Sequence, residues 1–497
     1  MRRAGQSPRS GPEQEVVDRV AILHPKMTLE LLNHDKPPDD KYNVAYIIFF
    51  AMGAGFLFPW NSFITAADYF GSLYPEAHIE RSFSLAYMLP TLVSIVLLIK
   101  YGRHYAPASR ITLGFAVFLL LLLIVPLIDI AVIRNGTGTP ATLAITIGLV
   151  MVVGTMDAVV QGSLFGVAGE LPEKFTQALS GGTGASGLLV SLLRCFTKAA
   201  LPNTRRGMRA SALLYFAISA VFIAGVLAAY RLLKKLPIIR YYERLKRERE
   251  AEPETVVREE GSVAGPASIH EQSNGHNPQR YQRLEPAAGE SSEGRPEESQ
   301  GPVLVREPTL SAFLVSEILS PSPVVVELDP PQAPVKFVQV FRKIWVFAVM
   351  LLLIYEVTLS IFPGFLAEDV HSAALGDWYP VLLITAYNLG DLAGKMAPLV
   401  FVLRNDTVIV ASVLLRVLFF PAFFVCVWGP AAMRSEWIVF SLTLALGVTN
   451  GYFTSVLMML APKRVDPHEA ETAGTIMVLF LVTGLAAGAI SGWLWLL

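Results

Sequence analysis

Hydrophobic residues in this chain come in long blocks rather than in alternation with polar ones. A helix crossing about 30 Å of hydrocarbon needs roughly 20 apolar residues. Runs of that kind recur over residues 43–66, 82–100, 111–133, 142–168, 177–198, 209–233, 343–365, 379–401, 407–428, 436–461 and 472–496, each bounded by charges, prolines or polar clusters. The pattern predicts an all-α integral membrane protein with eleven transmembrane helices, a number that puts the two termini on opposite sides of the bilayer.

Composition agrees with that reading. Of 497 residues, 53% are hydrophobic and only 16% are charged, against about 25% charged in a soluble domain. The net charge of −1 leaves no electrostatic footprint for a nucleic acid. Cys195 and Cys426 sit inside apolar runs, where they behave as small core residues, and neither a disulfide nor a metal site is expected. The polar N-terminus, MRRAGQSPRSGPEQE, lacks the apolar core of a signal peptide, so the first hydrophobic run should stay in the membrane.

Residues 243–312 hold one aromatic, Tyr281, among many Glu, Arg, Pro, Ser and Gly. Such a segment cannot bury enough apolar area to offset its ordering entropy, and disorder is expected. It acts either as a plain tether or as a segment open to phosphorylation. The chain then divides into a cytosolic tail (1–42), a bundle of helices 1–6 (43–233), a cytosolic and largely disordered loop (234–342), and a bundle of helices 7–11 (343–497).

Basic residues set the orientation. Lys100, Arg103 and Arg110 follow the second helix, and RLLKK and ERLKRERE follow the sixth. Connections of the other parity, 67–81 and 366–378, hold only Arg81 between them, although Arg205 and Arg206 in the 199–208 loop run against the trend. The sum places the N-terminus and the long loop in the cytosol and the C-terminus on the non-cytosolic side. Of two glycosylation sequons, Asn135-Gly-Thr and Asn405-Asp-Thr, only the one at Asn135 then faces outward. The plasma membrane and the vacuolar membrane both fit as locations.

The sequence calls for no enzyme chemistry and no cofactor. The string Gly390-Asp-Leu-Ala-Gly394-Lys395-Met has the wrong spacing for a P-loop, and no His/Cys cluster or Ser-His-Asp arrangement stands out. The informative residues are polar groups at depths where lipid would forbid them. In helix 1, Pro59 should kink the helix beside Trp60 and Asn61, offering a flat π-face and an amide that suit a heterocyclic base; the alternative is a kink packed on its neighbours.

In helix 4, Asp157 and Gln161 share a face at i, i+4. A charged Asp at mid-membrane costs roughly 2.5–3.5 kcal/mol on insertion scales, so it should face a cavity, find a partner or carry a proton. A carboxyl that exchanges a proton with both sides can couple transport to it, whereas the packing alternative is an interhelical hydrogen bond. Gln161 can donate to and accept from a sugar or base. Gly162 and Gly166 permit close helix approach.

In helix 8, Asp391 and Lys395 are spaced for an intrahelical ion pair, with Asn388 on the same face, forming either a clamp for ribose hydroxyls or a structural pair. Lesser signals are Tyr355 and Glu356 in helix 7 and Arg416 in helix 9, and the Gly and Ser of 180–187 and Gly484, Gly488 and Gly492 read as packing seams. Together, the polar residues of helices 1, 4 and 8 are expected to converge on one wet central chamber.

Several strings resemble the equilibrative nucleoside transporter family, and its plant-type members in particular: GAGFLFPWNSFITAADYF, DAVVQGSLFGVAGELPEKFTQALSGG, YNLGDLAGK, and GVTNGYFTSVLMMLAPKRV followed by EAETAG. LLVSLLRCFTKA, TLSIFPGF and DWYPVLLITAYN carry the plant-type likeness. The resemblance implies a fold like that of the major facilitator superfamily, with bundles of six and five helices rocking around a central cavity. It implies that Trp60, Asn61 and Met88 line the base end, that Gln161 hydrogen-bonds the base, that Tyr355 supplies an aromatic wall, and that Asp391 meets the ribose.

The basic residue one turn on is arginine in well-known members and Lys395 in this chain, which replaces a rigid fork by a point charge. Asp157 stands where animal members have a small residue and plant-type members an acid. Those members include proton-coupled carriers, so the expected activity is nucleoside transport, for purines and pyrimidines, with Asp157 and Glu356 as candidate proton couplers. Uncoupled diffusion of nucleosides or nucleobases is the alternative. A carrier of organic cations would want an acid in the stretch that reads Gly181-Gly182 in this chain.

Overall fold

The computed structural model describes residues 37–251 and 336–492, less short breaks at 76, 134–137, 203, 363–371, 373, 377 and 431–434. Among the described residues the only regular structure is helical. In chain order the α-helices are α1 (Val44–Thr65), α2 (Ala67–Leu73), α3 (Ile79–Tyr101), α4 (Pro107–Ile128), α5 (Pro140–Glu170), α6 (Glu173–Ala200), α7 (Arg205–Leu233), α8 (Pro237–Ala251), α9 (Phe337–Ile361), α10 (Trp378–Met396), α11 (Asp406–Leu415), α12 (Phe419–Trp428), α13 (Glu436–Leu460) and α14 (Ala470–Ser491). All but α8 lie wholly within one compact unit; α8 runs into a second that begins at Arg244.

Each of the eleven expected spans falls on a long helix or, for 407–428, on α11 and α12 joined through a 3-10 turn at Arg416–Leu418. By length and apolar content, nine spans among the described residues suit a bilayer. The two that fall outside the nine are α6 and α10, whose buried faces carry Thr176, Gln177, Ser180 and Ser186, and Asp391 and Lys395. Those helices are wedged between others: α6 packs on α1 and α10, and α10 on α13 and α6.

The two faces of α3 show how the pattern works. Tyr87, Thr91, Ile95 and Leu98, at helical spacing, are buried against the bundle. Leu85, Leu89, Val93 and Val96 form a parallel stripe at least half exposed. In water such a stripe would be an aggregation hazard; along a membrane helix it is the surface that lipid covers.

Helices in lipid gain little from apolar burial alone, so close packing rests on small residues. At Gly182 an added Cβ would sit 2.0 Å from the Phe50 carbonyl oxygen, fixing the approach of α6 to α1. At Gly451 it would sit 2.0 Å from the Asp391 carbonyl oxygen, fixing α13 on α10. The expected seams are thus contact surfaces, and Gly166 against Glu471 and Gly488 against the Glu356 carbonyl do the same for α14.

Local differences from the sequence reading have local causes. α9 starts at Phe337 rather than 343, because Lys343 does not end the helix: its ammonium reaches Asp466 and Glu469, each at 2.7 Å. α10 stops at Met396 rather than 401, where Pro398 turns the chain into a 3-10 turn. α1 runs from Val44 to Thr65 with Pro59 inside it, so the proline does not end the helix.

α8 carries helix to Ala251, inside the segment expected to lack structure, with Arg244 and Glu248 paired at i, i+4 and 2.7 Å. Asn405 caps α11, its Oδ1 accepting from Val408 N at 3.2 Å, which explains that sequon as a helix start. Asn135, the glycosylation candidate, lies outside the described residues, as does most of the 234–342 loop.

Candidate functional site

The long helices alternate in direction, so the end where α1 begins, termed proximal, also holds the ends of α3, α5, α7, α10 and α13 and the starts of α4, α6, α9, α11 and α14. The polar residues of interest lie between the proximal and distal ends, in two groups.

The first group is built by α1, α3 and α5. The ring of Trp60 stacks on that of Tyr87, with centroids 4.0 Å apart and planes 20° apart. The Tyr87 hydroxyl donates to Asp157 Oδ2 at 2.6 Å. Gly154, one turn before Asp157, brings α5 against α3: a Cβ there would lie 2.4 Å from the Tyr87 carbonyl oxygen. Asp157 is 2% exposed, and its other oxygen, Oδ1, is buried without a hydrogen-bond partner among the described residues. Gln161, one turn nearer the proximal end, is buried and its amide meets no hydrogen-bond partner among the described residues, which leaves its donors and acceptor for another molecule. Met88 is half-buried against the same core.

The second group is a chain of polar contacts that crosses the other half of the bundle. Arg416, 2% exposed, donates from Nη2 to the Thr358 hydroxyl at 2.7 Å and from Nη1 to the Leu446 carbonyl at 3.3 Å. Thr358 donates to Asn450 Oδ1 at 3.0 Å, and Asn450 Nδ2 donates to Asp391 Oδ1 at 2.7 Å. A carboxylate only accepts, so the Asn450 amide orientation follows from its neighbour. Asp391 Oδ2 meets Lys395 Nζ at 2.7 Å, and Lys395 donates to the Thr183 hydroxyl at 2.9 Å. Five elements are thereby tied together: the Arg416 turn, α9, α13, α10 and α6. The intrahelical Asp391–Lys395 pair read from the sequence is present, and it is one link of a longer chain.

α6 joins the groups. Asn61 Nδ2 donates to Ser186 Oγ at 2.8 Å, and Asn388 Nδ2 donates to Ser191 Oγ at 2.6 Å. Trp60 and Asn61 therefore face different helices, α3 and α6, although they are adjacent in sequence. No hydrogen bond or ring contact among the described residues joins Trp60, Gln161 and Asp391 directly. Tyr355 is half-buried within electrostatic reach of Asp391 and Lys395. Glu356 is half-buried, and its side chain has no hydrogen-bond partner among the described residues. A cleft of about 460 Å³ opens elsewhere, between α9 and α11 at the proximal end, lined by Trp345, Val410, Leu414 and Arg464 among others.

Tyr87, Thr183, Thr358 and Asn450 were not singled out by the sequence reading. Each is one modest polar residue in an apolar run, and its partner is distant in sequence. The signal available was the same that marked Asp157: a hydrogen-bonding group where lipid offers no partner.

Charged side chains tie helices together at the proximal end. Arg110 Nη2 meets Glu471 Oε1 at 2.5 Å, joining α4 to α14. Arg404 reaches both oxygens of Glu173, at 3.2 and 2.9 Å, and Lys463 donates to the carbonyls of Gly169 at 3.1 Å and Leu171 at 2.6 Å. Gln177 Nε2 adds a bond to the Lys395 carbonyl at 2.9 Å.

Comparison with known proteins bears on the fold and the family. Solved structures with similar folds include a bacterial homologue of the iron transporter ferroportin in an outward-facing state, with a TM-score of 0.54 at 12% identity, covering 90% of this chain and 91% of that one. The major facilitator superfamily proton:xylose symporter XylE, bound to 6-bromo-6-deoxy-D-glucose, matches with a TM-score of 0.50 at 10% identity over 92% of this chain and 89% of that one. The likeness is one of fold. In sequence, Equilibrative nucleotide transporter 1 of Arabidopsis thaliana is 39% identical over 95% of this chain and 91% of its own length. Equilibrative nucleotide transporter 8 of the same plant is 36% identical, covering 92% and 96%. Equilibrative nucleoside transporter 4 of Homo sapiens is 30% identical, covering 92% and 83%. The family model described as Nucleoside transporter matches residues 147–497. With relatives this similar along nearly its whole length, the chain belongs to the equilibrative nucleoside transporter family, as a multi-pass membrane transporter and not an enzyme.

Proposed function

We propose that this protein moves nucleosides, purine and pyrimidine alike, across a membrane by alternating access, with a proton as cosubstrate. In this reading α6 and α10 cross the bilayer with the nine more apolar spans, giving eleven helices in bundles of six and five. The proximal end faces the cytosol, because the basic residues after α3 and α7 gather there; the C-terminus then lies on the other side.

The observation that carries the reading is the arrangement of Asp391. It is held by Asn450 and Lys395 among the later helices, while Gln161, free of partners among the described residues, and the Trp60 ring belong to the earlier ones. Hydroxyls of a ribose suit an acceptor carboxylate, and a base suits an amide and an aromatic face. Proton coupling draws support from Asp157: an enclosed carboxyl with one unpartnered oxygen and no basic partner among the described residues suits a group that carries its proton for part of the cycle. In this reading the pairs Arg110–Glu471 and Arg404–Glu173 close the proximal end, substrate enters from the distal end, and the return step must break those pairs. A cation carrier is disfavoured because the backbone of α1 fills the space at Gly182 that an acid would need.

Uptake of radiolabelled uridine and adenosine into vesicles, with and without an inward proton gradient, tests the proposal. Accumulation above equilibrium that depends on the gradient and disappears in Asp157→Asn is expected. Equal uptake with and without a gradient would leave uncoupled diffusion.

A further inference from the structure

The Trp60 ring is not open on both sides. Tyr87 lies on one face at a centroid separation of 4.0 Å, about one stacking distance, so no base fits between the rings. The same tyrosine makes the one hydrogen bond that Asp157 accepts among the described residues. A single side chain thus covers the aromatic platform and satisfies the carboxyl.

We propose that Tyr87 couples the two: a nucleoside base that takes its place on Trp60 pulls the phenol away from Asp157, and the carboxyl, left without a donor, binds a proton. This inference rests on the reading of Asp157 as the coupling group. No bond between heavy atoms changes; Asp157 loses the hydrogen bond from Tyr87 and gains one O–H bond, with the proton drawn from the open side of the membrane. The sign is the one symport requires, because base and proton then favour each other's binding, and linkage makes the effect reciprocal.

Among the residues whose side chains are described, other ionisable groups lie too far along the helices to take over this role. α1 carries only Tyr46, whose hydroxyl is bonded to Gln177 near the proximal end. α4 and α14 carry Arg110 and Glu471, paired with each other and packed at the level of Gly166, which is nine residues or about 13 Å along α5 from Asp157. α6 holds its charges near its ends, with Glu173 and Lys174 at one and Arg194 and Lys198 at the other, and Lys463 binds the carbonyls at the end of α5. On α3 itself, Lys100 is more than three turns beyond Tyr87, and Glu80 and Arg81 stand at the start of the helix, nearly two turns before it.

The test is Tyr87→Phe, which keeps the ring on Trp60 and removes the hydroxyl. In wild-type proteoliposomes the apparent KM for uridine should rise about tenfold from mildly acidic to mildly alkaline pH, within the usual range of coupling between sites. In the Phe variant Asp157 lacks its donor whether or not substrate is bound, so the KM should stay near its acidic value throughout and gradient-driven accumulation should fall. A Phe variant with weaker binding at every pH and the wild-type pH slope would overturn the link, since it would show that Tyr87 only packs. If Asp157→Asn itself kept gradient-driven accumulation, the coupling reading would fail instead. Infrared difference spectra of the wild type provide a second measurement that does not depend on the variant reaching the membrane. Adding uridine at alkaline pH should bring up a protonated-carboxyl band that Asp157→Asn lacks, and its absence from the wild type would equally overturn the link.

Discussion

Asn450 of α13 donates a 2.7 Å hydrogen bond to Oδ1 of Asp391 in α10, while its own carbonyl accepts from Thr358 of α9. One amide therefore holds three helices in register around a buried carboxylate. Asn450→Ala should strip Asp391 of a donor and leave Thr358 half-satisfied. A loss of about 1–3 kcal/mol is expected for such a deletion, measured as a lowered Tm of the purified transporter in detergent. An unchanged Tm would mean that water replaces the amide without cost.

Lys395 poses a sharper choice between structure and transport. Lys395→Ala leaves Asp391, 6% exposed, without its cation, and breaking a buried pair in this way costs about 3–5 kcal/mol. Replacing both members, Asp391→Leu with Lys395→Met, should recover most of that stability and none of the uridine uptake. If uptake returned with stability, the pair would be a packing device and the ribose role would be lost.

The pair Arg110–Glu471 is expected to hold the proximal end shut. Arg110→Glu should weaken that closure and raise the labelling of a cysteine placed near Gly162 by a reagent added from the proximal side, by several-fold on the scale of ordinary conformational coupling. The exchange of both residues, Arg110→Glu with Glu471→Arg, should return labelling toward the wild-type level. Equal labelling of single and double variants would show that the charges do not act as a pair.

Outside the membrane spans, hydrogen bonding to Lys343 holds the Asp466 carboxyl below the usual aspartate range. A depressed carboxyl contributes stability above its ordinary value, near pH 3.9, and loses that contribution as pH falls through the depressed value. Stability of the wild type should therefore drop more steeply than that of Asp466→Asn in strongly acidic buffer, as followed by thermal unfolding against pH. Parallel curves would contradict the assignment.

Helix positions were legible because lipid permits so few solutions: Leu, Val, Ile and Phe in runs of bilayer length leave little alternative to a spanning helix. Helix ends were less so, since Lys343 looks like a boundary until Asp466 and Glu469 are brought to it, and Pro398 ends α10 inside a run that still reads as apolar. Asp157, Asp391 and Lys395 announced themselves by their cost in a membrane. Their partners did not. Tyr87 and Asp157 are 70 residues apart, and Thr358 and Asn450 are 92 apart, so only the tertiary fold pairs them. Trp60 was read as an open platform because nothing local indicates that a neighbouring helix lays a tyrosine across it.

A cryo-EM map of the protein with uridine bound puts the polar path to its most direct trial. The base should lie against the Trp60 ring within hydrogen-bonding distance of Gln161, with the ribose hydroxyls on Asp391 and Tyr87 turned away from Asp157. Uridine density elsewhere, with Tyr87 still stacked on Trp60 and no contact to Gln161 or Asp391, would contradict the proposed site.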